Sequence, residues 1–554
     1  MEESSRIRQR KNENKELCDI TNGNSDSLLG VSNLACWKKQ MKVSNQNTLV
    51  GLQQDCPDLV LRTCSQMVKS ELLDHRHLQM NDALDRAVQE TAEADSQHPK
   101  GQSTKELENQ NQQHARFLEK KKVFVERQSL LDELMETGHF RMIYHVFIAI
   151  FCVFIIGSVA ADLIDQGSHR SVLEFDLLFF AFGKFQTVVF TWLCMFSCTL
   201  LVPFKALHLW GGWFPTTRFP RLFSATVAGL LIVCQTCMLG LYPAYMVIMH
   251  KLPPVSSIII TLEQFRLIMK SYSFLREKVP QIIQLNLNKE KEVMLPKFSS
   301  YLYFLFCPTM IYRDSYPRTP FIRWKYVIIK FVQLLGGIFY IYFILVTLCI
   351  PTFSNMSKQP FSAKALVLSI FHATLPGTLV LLVSFFCFLH CWLNAFAEML
   401  RFADRMFYQD WWNSTSFANY YRTWNVVIHD WLYYYVYQDL MWLLNKKCRA
   451  MAMLAVFLMS AAVHEYVFTL SLGYFYPVMF CLFAIFGVIF NFMLSDKRKN
   501  PVYNVIVWTC LIIGQGIQIS LYCQEWFARI HCPLQEKTFW GLVTPRSWSC
   551  HLQE

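Results

Sequence analysis

ALVLSIFHATLPGTLVLLVSFFCFLHCWLNAFA, residues 365–397, holds no acid or base other than histidine between Lys364 and Glu398. A helix rising about 1.5 Å per residue needs about 20 such residues to cross a hydrocarbon core of about 30 Å. This run is therefore a membrane span with residues to spare. Further uncharged runs cover 142–161, 185–204, 222–250, 331–357, 466–495 and 501–524. Another, 450–464, ends at Glu465, the only acid or base apart from His464 between Arg449 and Asp496, and that stretch is long enough for two helices.

Composition agrees. Charged residues make up 17% of the 554, against about a quarter in soluble domains, and aromatics reach 15%. Collagenous, low-complexity and small disulfide-scaffold classes are excluded. The net charge of +11 divides into −3 over residues 1–137 and +14 over the rest. The positive excess lies between apolar runs, where it orients helices and attracts anions.

MEESSRIRQRKNENKE lacks the apolar core of a secretory signal, so the N-terminus is expected in the cytosol. The acidic 162–184 loop fits the lumen and the basic 205–221 loop the cytosol. The basic 274–330 segment needs one more pass, through 253–273, whose Glu263 and Arg266 should face the bundle interior. The expectation is an all-α polytopic protein of about nine transmembrane helices with a lumenal C-terminus.

Residues 1–118 read as a cytosolic tail, largely disordered over 1–60, with Leu73, Met80, Leu84 and Ala87 marking an amphipathic helix near 68–92 that suits self-association. Residues 119–141 read as an interfacial helix leading into the first span, 142–525 as the membrane core and 526–554 as a lumenal tail. Most of the 19 cysteines lie in apolar runs, without metal-ligand spacing. Cys532 and Cys550 sit in the short polar tail, where a disulfide is plausible.

Three clusters carry candidate chemistry. FYQDWWN, 407–413, gathers Phe407, Tyr408, Trp411 and Trp412 around Asp410 and Asn413 in a cytosolic loop. The tryptophans suit an interfacial anchor, and Asp410 and Asn413 can order the loop by hydrogen bonds. NYYRTWNVVIH, 419–429, offers Arg422 to a phosphate and Asn425 and His429 on one helix face. His464 in SAAVHEY lies roughly 22 Å into a helix that starts near Arg449, where a neutral imidazole can take a proton from a hydroxyl. His145, His372 and His390 compete for that role, and a structural hydrogen-bonding histidine is the plain alternative.

FYQDWWN, a following TWN and a histidine within an apolar span resemble the membrane-bound O-acyltransferase family. SLLDELMETGHFRMIYH (129–145), SYLYFLFCPTMIYRDSYPR (300–318), FLHCWLNAFAEMLRFADRMFYQDWWNSTS (388–416) and NYYRTWNVV (419–427) are similar to its sterol O-acyltransferase group, and FWGLVTPRSWSCH (539–551) to that group's intestinal and hepatic isoform. The similarity runs from about residue 120 to the end. The resemblance implies His464 as catalytic histidine with Asn425 as its partner. It implies acyl-CoA contacts at Asn419, Arg422, His429, Tyr437, Arg449 and Ser460, a sterol contact at His139, and a lumenal Cys532–Cys550 disulfide. It also implies acyl-CoA as co-substrate with no further cofactor, cholesterol as acceptor, a homodimer or homotetramer, and residence in the endoplasmic reticulum membrane. Nothing points to nucleic acid. A diacylglycerol acyltransferase would share the motif and the histidine. A transporter would fit nine spans but often shows inverted repeats, and none is visible. An inactive scaffold is disfavoured by the intact motif.

Overall fold

The computed structural model describes residues 122–166, 175–287, 295–356, 362–493, 500–533, 540 and 543–550. The 1–118 tail and its expected 68–92 helix lie outside them. Helices and irregular connections make up the described residues, apart from two isolated β-bridges. A short α1 (Leu130–Glu136) leads into α2 (Gly138–Gln166), α3 (Phe185–Trp213), α4 (Pro220–Met249) and α5 (Pro254–Leu287). After them come α6 (Trp324–Ser354), α7 (Ala363–Met399), α8 (Phe417–Trp424), α9 (Val426–Trp431), α10 (Arg449–Leu472), α11 (Val478–Asn491) and α12 (Val502–His531). By length and apolarity seven of the described helices can cross a membrane. The expected nine is reached only if the shorter α11 and the charged α5 cross as well.

The charges of α5 face protein. Glu263 pairs with Arg266 at 2.6 Å and accepts from Trp192 Nε1 at 2.8 Å, while Arg266 reaches Leu305 O and the buried Lys270 donates to Phe304 O and Cys307 O. Each charge finds partners within the protein, as burial in a low-dielectric bundle requires.

Two boundaries differ from the sequence reading. The apolar stretch after Arg449 breaks at Gly473, not at Glu465. Gly473 takes φ 78°, a conformation open to a residue without Cβ, and its N–H caps Thr469 O. Helix α10 runs through Glu465 because that buried carboxylate is satisfied from outside, by Phe480 N at 3.1 Å and Tyr522 OH at 3.2 Å. Within the expected interfacial helix over 119–141, the described residues are helical only from Leu130. Residues 122–128 are an extended strap whose main chain pairs with the chain ahead of the 407–413 motif, Arg127 N to Ala403 O and Arg405 N to Arg127 O. Its side chains alternate, with Val123 and Val125 exposed and Phe124 packed on Tyr316 and Phe402, which is a period of two.

Helices α7 and α12 pack along one another. Ser369 and Ser520 share a hydrogen bond of 2.7 Å, Gln524 donates to both, and Gly377 and Gly516 let the backbones approach. Small and hydroxylated residues at a helix contact are what a lipid-embedded interface uses. A Cβ on Gly516 would stand 2.6 Å from Ile370 O, whereas one on Gly514 meets nothing within 4 Å. Gly516→Ala should therefore destabilise the protein by about 1–3 kcal/mol, and Gly514→Ala should not. Thermal unfolding of both variants in detergent checks this, and equal midpoints would contradict the packing argument.

Candidate active site

The 407–413 motif is a core element and not an interfacial belt. Phe407, Tyr408 and Trp411 are almost fully buried. Phe385, in a π-helical turn of α7, meets the rings of Tyr408, Trp411 and Trp424 at centroid distances of 4.7, 5.1 and 5.2 Å. The polar members sit outside this packing. Asp410 and Asn413 are exposed, and the loop is ordered through main chain, Asn413 N donating to Asp410 O. From α12, Asn504 Nδ2 donates to Trp412 O and Ser414 O, and Trp508 Nε1 to Trp412 O. Tyr408 ends in a buried polar cluster, 2.7 Å from His390 Nδ1 and 2.9 Å from Ser129 Oγ, with Lys330 Nζ on His390 Nε2. His390 is thereby occupied on both ring nitrogens.

The motif holds the second cluster. Gln409 N donates to Thr423 O at 2.8 Å and Val426 N to Phe407 O at 2.9 Å, so the two bonds straddle Asn425. Asn425 is not within a helix, as its spacing from His429 suggested. It has φ −139° between α8 and α9 and caps α9, its Oδ1 accepting from Ile428 N at 3.2 Å and its carbonyl from His429 N. Oδ1 is engaged by the Ile428 N–H, and Nδ2–H is the group that can donate to a ligand. Asn419 lies in the first turn of α8, donating to Ser414 Oγ, and Arg422 is exposed at its end.

His464 lies in the interior of α10, nearer its C-terminal end. Its Nδ1 is 2.7 Å from Ser460 O and 3.5 Å from Ser460 Oγ, and its ring stacks on Phe483 at 4.3 Å. A carbonyl oxygen only accepts, so Nδ1 carries the proton and Nε2 keeps a lone pair. Tyr421 packs against Phe483 and Phe457, which joins α8 to the helices around His464. Among the described residues Asn425 and His464 share no hydrogen bond.

The remaining expected contacts fall in two places. His429 stacks on Tyr433 and Tyr433 on Tyr437, at interplanar angles of 10° and 14°, through a π-helical turn. Arg449 opens α10 beside exposed Lys446 and Lys447, so that end is basic. His139 stands apart, exposed in the first turn of α2. Cys532 and Cys550 are bonded, tying the tail to α12, where Glu525 accepts from Arg546 N and Ser547 N.

Sequence reasoning missed Phe483, Tyr433, Asn504 and Trp508. Only the last two left a signal, a polar and an amphipathic residue four apart in an apolar helix.

Residues 173–524 match the membrane-bound O-acyltransferase family. Sterol O-acyltransferase 2 of Homo sapiens is 55% identical over 498 residues, 89% of this chain and 93% of the relative. Its Mus musculus counterpart is 53% identical over 496 residues, with the same two shares. Sterol O-acyltransferase 1 of Mus musculus is 53% identical over 432 residues, 78% of this chain and 80% of the relative. The chain belongs to the membrane-bound O-acyltransferase family, in its sterol O-acyltransferase branch.

Proposed function

We propose that the protein transfers a long-chain acyl group from acyl-CoA to the 3β-hydroxyl of cholesterol, with His464 as base. The observation that carries this is the bond from His464 Nδ1 to Ser460 O, which leaves Nε2 as a proton acceptor deep in an apolar helix. A thioester is already activated, so no covalent enzyme nucleophile is needed. Nε2 takes the hydroxyl proton as the sterol oxygen attacks the thioester carbon. Asn425 Nδ2–H steadies the oxyanion of the tetrahedral intermediate. Collapse breaks the C–S bond, and the imidazolium returns its proton to the departing CoA thiolate. The products are a steryl ester and CoA, and excluding water limits thioester hydrolysis.

Arg422, Lys446, Lys447 and Arg449 suit the nucleotide end of acyl-CoA, with Asn419, His429, Tyr437 and Ser460 as further contacts. His139 is read as a sterol contact reached laterally from lipid. We place the protein in the endoplasmic reticulum membrane, N-terminus cytosolic and C-terminus lumenal, as a homodimer or homotetramer. The disulfide between Cys532 and Cys550 supports a lumenal tail, because that compartment is oxidising.

Microsomes containing the protein should esterify cholesterol from labelled oleoyl-CoA. His464→Ala, expressed equally, should lose about 10²–10⁴-fold in rate, and Asn425→Ala about 10²–10³-fold. Triacylglycerol in a parallel diacylglycerol tube with no steryl ester in the cholesterol tube would overturn the sterol assignment, and an active His464→Ala would overturn the base. The scaffold role of the motif is tested at Asn504, outside the reacting groups. Asn504→Ala leaves a buried carbonyl without a donor at a cost of about 1–3 kcal/mol. It should lower both the thermal midpoint and the turnover, as unfolding and kinetics on one preparation would record.

A further inference from the structure

The 122–128 strap and Ser129, which follows it, touch the site at three points that the reaction scheme does not use. Its main chain pairs with Ala403 and Arg405 just ahead of the motif, and Ser129 Oγ meets Tyr408 within it. At its start, Lys122 Nζ makes an ion pair with Asp430 Oδ2 on α9, and Lys122 O accepts from Arg313. The other carboxylate oxygen, Asp430 Oδ1, lies 3.7 Å from His429 Nδ1. One carboxylate thus bridges the strap lysine and the histidine that begins the His429–Tyr433–Tyr437 ring ladder. Both ends of the ion pair are largely buried, with side-chain exposures of 17% and 18%, so solvent screens it weakly. Burial alone would raise the Asp430 carboxyl, but His429 and Lys122 outweigh it and hold the group below its ordinary value.

We propose that Lys122 and Asp430 are positioning residues for acyl-CoA, the strap orienting His429 and its ring ladder at the cofactor-like end of the substrate. A turn of Asp430 away from Lys122 would also move its Oδ1 away from His429 Nδ1, 3.7 Å off. Lys122 cannot drift, because Phe124, two residues on, is wedged between Tyr316 and Phe402 and the main chain is paired at Arg127. The inference rests on the reading of His429 and Tyr437 as acyl-CoA contacts.

The test is steady-state kinetics of the full chain in detergent–sterol micelles, varying oleoyl-CoA at fixed cholesterol and then the reverse. Lys122→Met and Asp430→Asn should each raise KM for oleoyl-CoA about three- to tenfold, with kcat and the sterol dependence little changed. Lys122→Arg should restore the wild-type KM. Lys122→Met combined with His429→Ala should be no worse than His429→Ala alone, because both act through one group. If His429→Ala raises KM but Lys122→Met and Asp430→Asn do not, the strap has no positioning role and the acyl-CoA reading stands. If His429→Ala leaves KM unchanged, that reading fails and takes the inference with it. A fall in kcat and thermal midpoint that Lys122→Arg does not relieve would make the strap a folding element only, and would overturn the proposal.

Discussion

Two main-chain hydrogen bonds, Gln409 N to Thr423 O and Val426 N to Phe407 O, hold an irregular loop inside an otherwise helical bundle. Buried backbone N–H and C=O groups must be paired, so non-helical backbone persists in a core only where other parts of the protein satisfy it. The 402–416 segment meets this demand on every side. The strap pairs with Ala403 and Arg405, the 423–426 junction with Phe407 and Gln409, and α12 with Trp412 and Ser414. The packed rings of Phe385, Trp411 and Trp424 keep water out of these bonds. The motif is therefore a joint. It gives Asn425 a non-helical φ that a continuous α8–α9 helix would forbid.

The apolar runs made the helices legible, because length and absence of charge state directly what hydrocarbon tolerates. The interior-facing Glu263 and Arg266 were legible for the same reason, since unpaired charges have nowhere else to go. What misled was the meaning of a single charge. Glu465 closes an uncharged run, yet the helix continues through it because its cost is offset by Phe480 N and Tyr522 OH, partners 15 and 57 residues away that no local pattern announces. The true end is Gly473, a left-handed cap. The strap was misread because EKKKVFVERQ has the charge density of an interfacial helix, while its decisive feature is the alternation at Val123, Phe124 and Val125.

At the site the sequence named residues but not their hydrogen-bonding states. FYQDWWN reads as an anchor when its tryptophans are counted, and as a joint only when Trp411 is found buried. His390 and His464 are indistinguishable in sequence, each within an apolar run. The fold separates them: His390 is held on both nitrogens by Tyr408 and Lys330, whereas among the described residues the hydrogen bonds of His464 run through Nδ1, to Ser460. A ring engaged on both sides cannot accept a proton without breaking a bond, and a ring engaged on one side can.

The same reasoning applies to Asn425, and the two results fit together. A free asparagine offers both a donor and an acceptor, so it does not distinguish a hydroxyl from a carbonyl. Holding Oδ1 on Ile428 N orients the amide, with Nδ2–H as its donor. Spending the Nδ1 proton of His464 on Ser460 O leaves an acceptor alone. Local backbone contacts thus assign opposite polarities to the two groups before any substrate arrives. The acyl transfer proposed above uses that pairing, a base for the proton and a donor for the oxyanion.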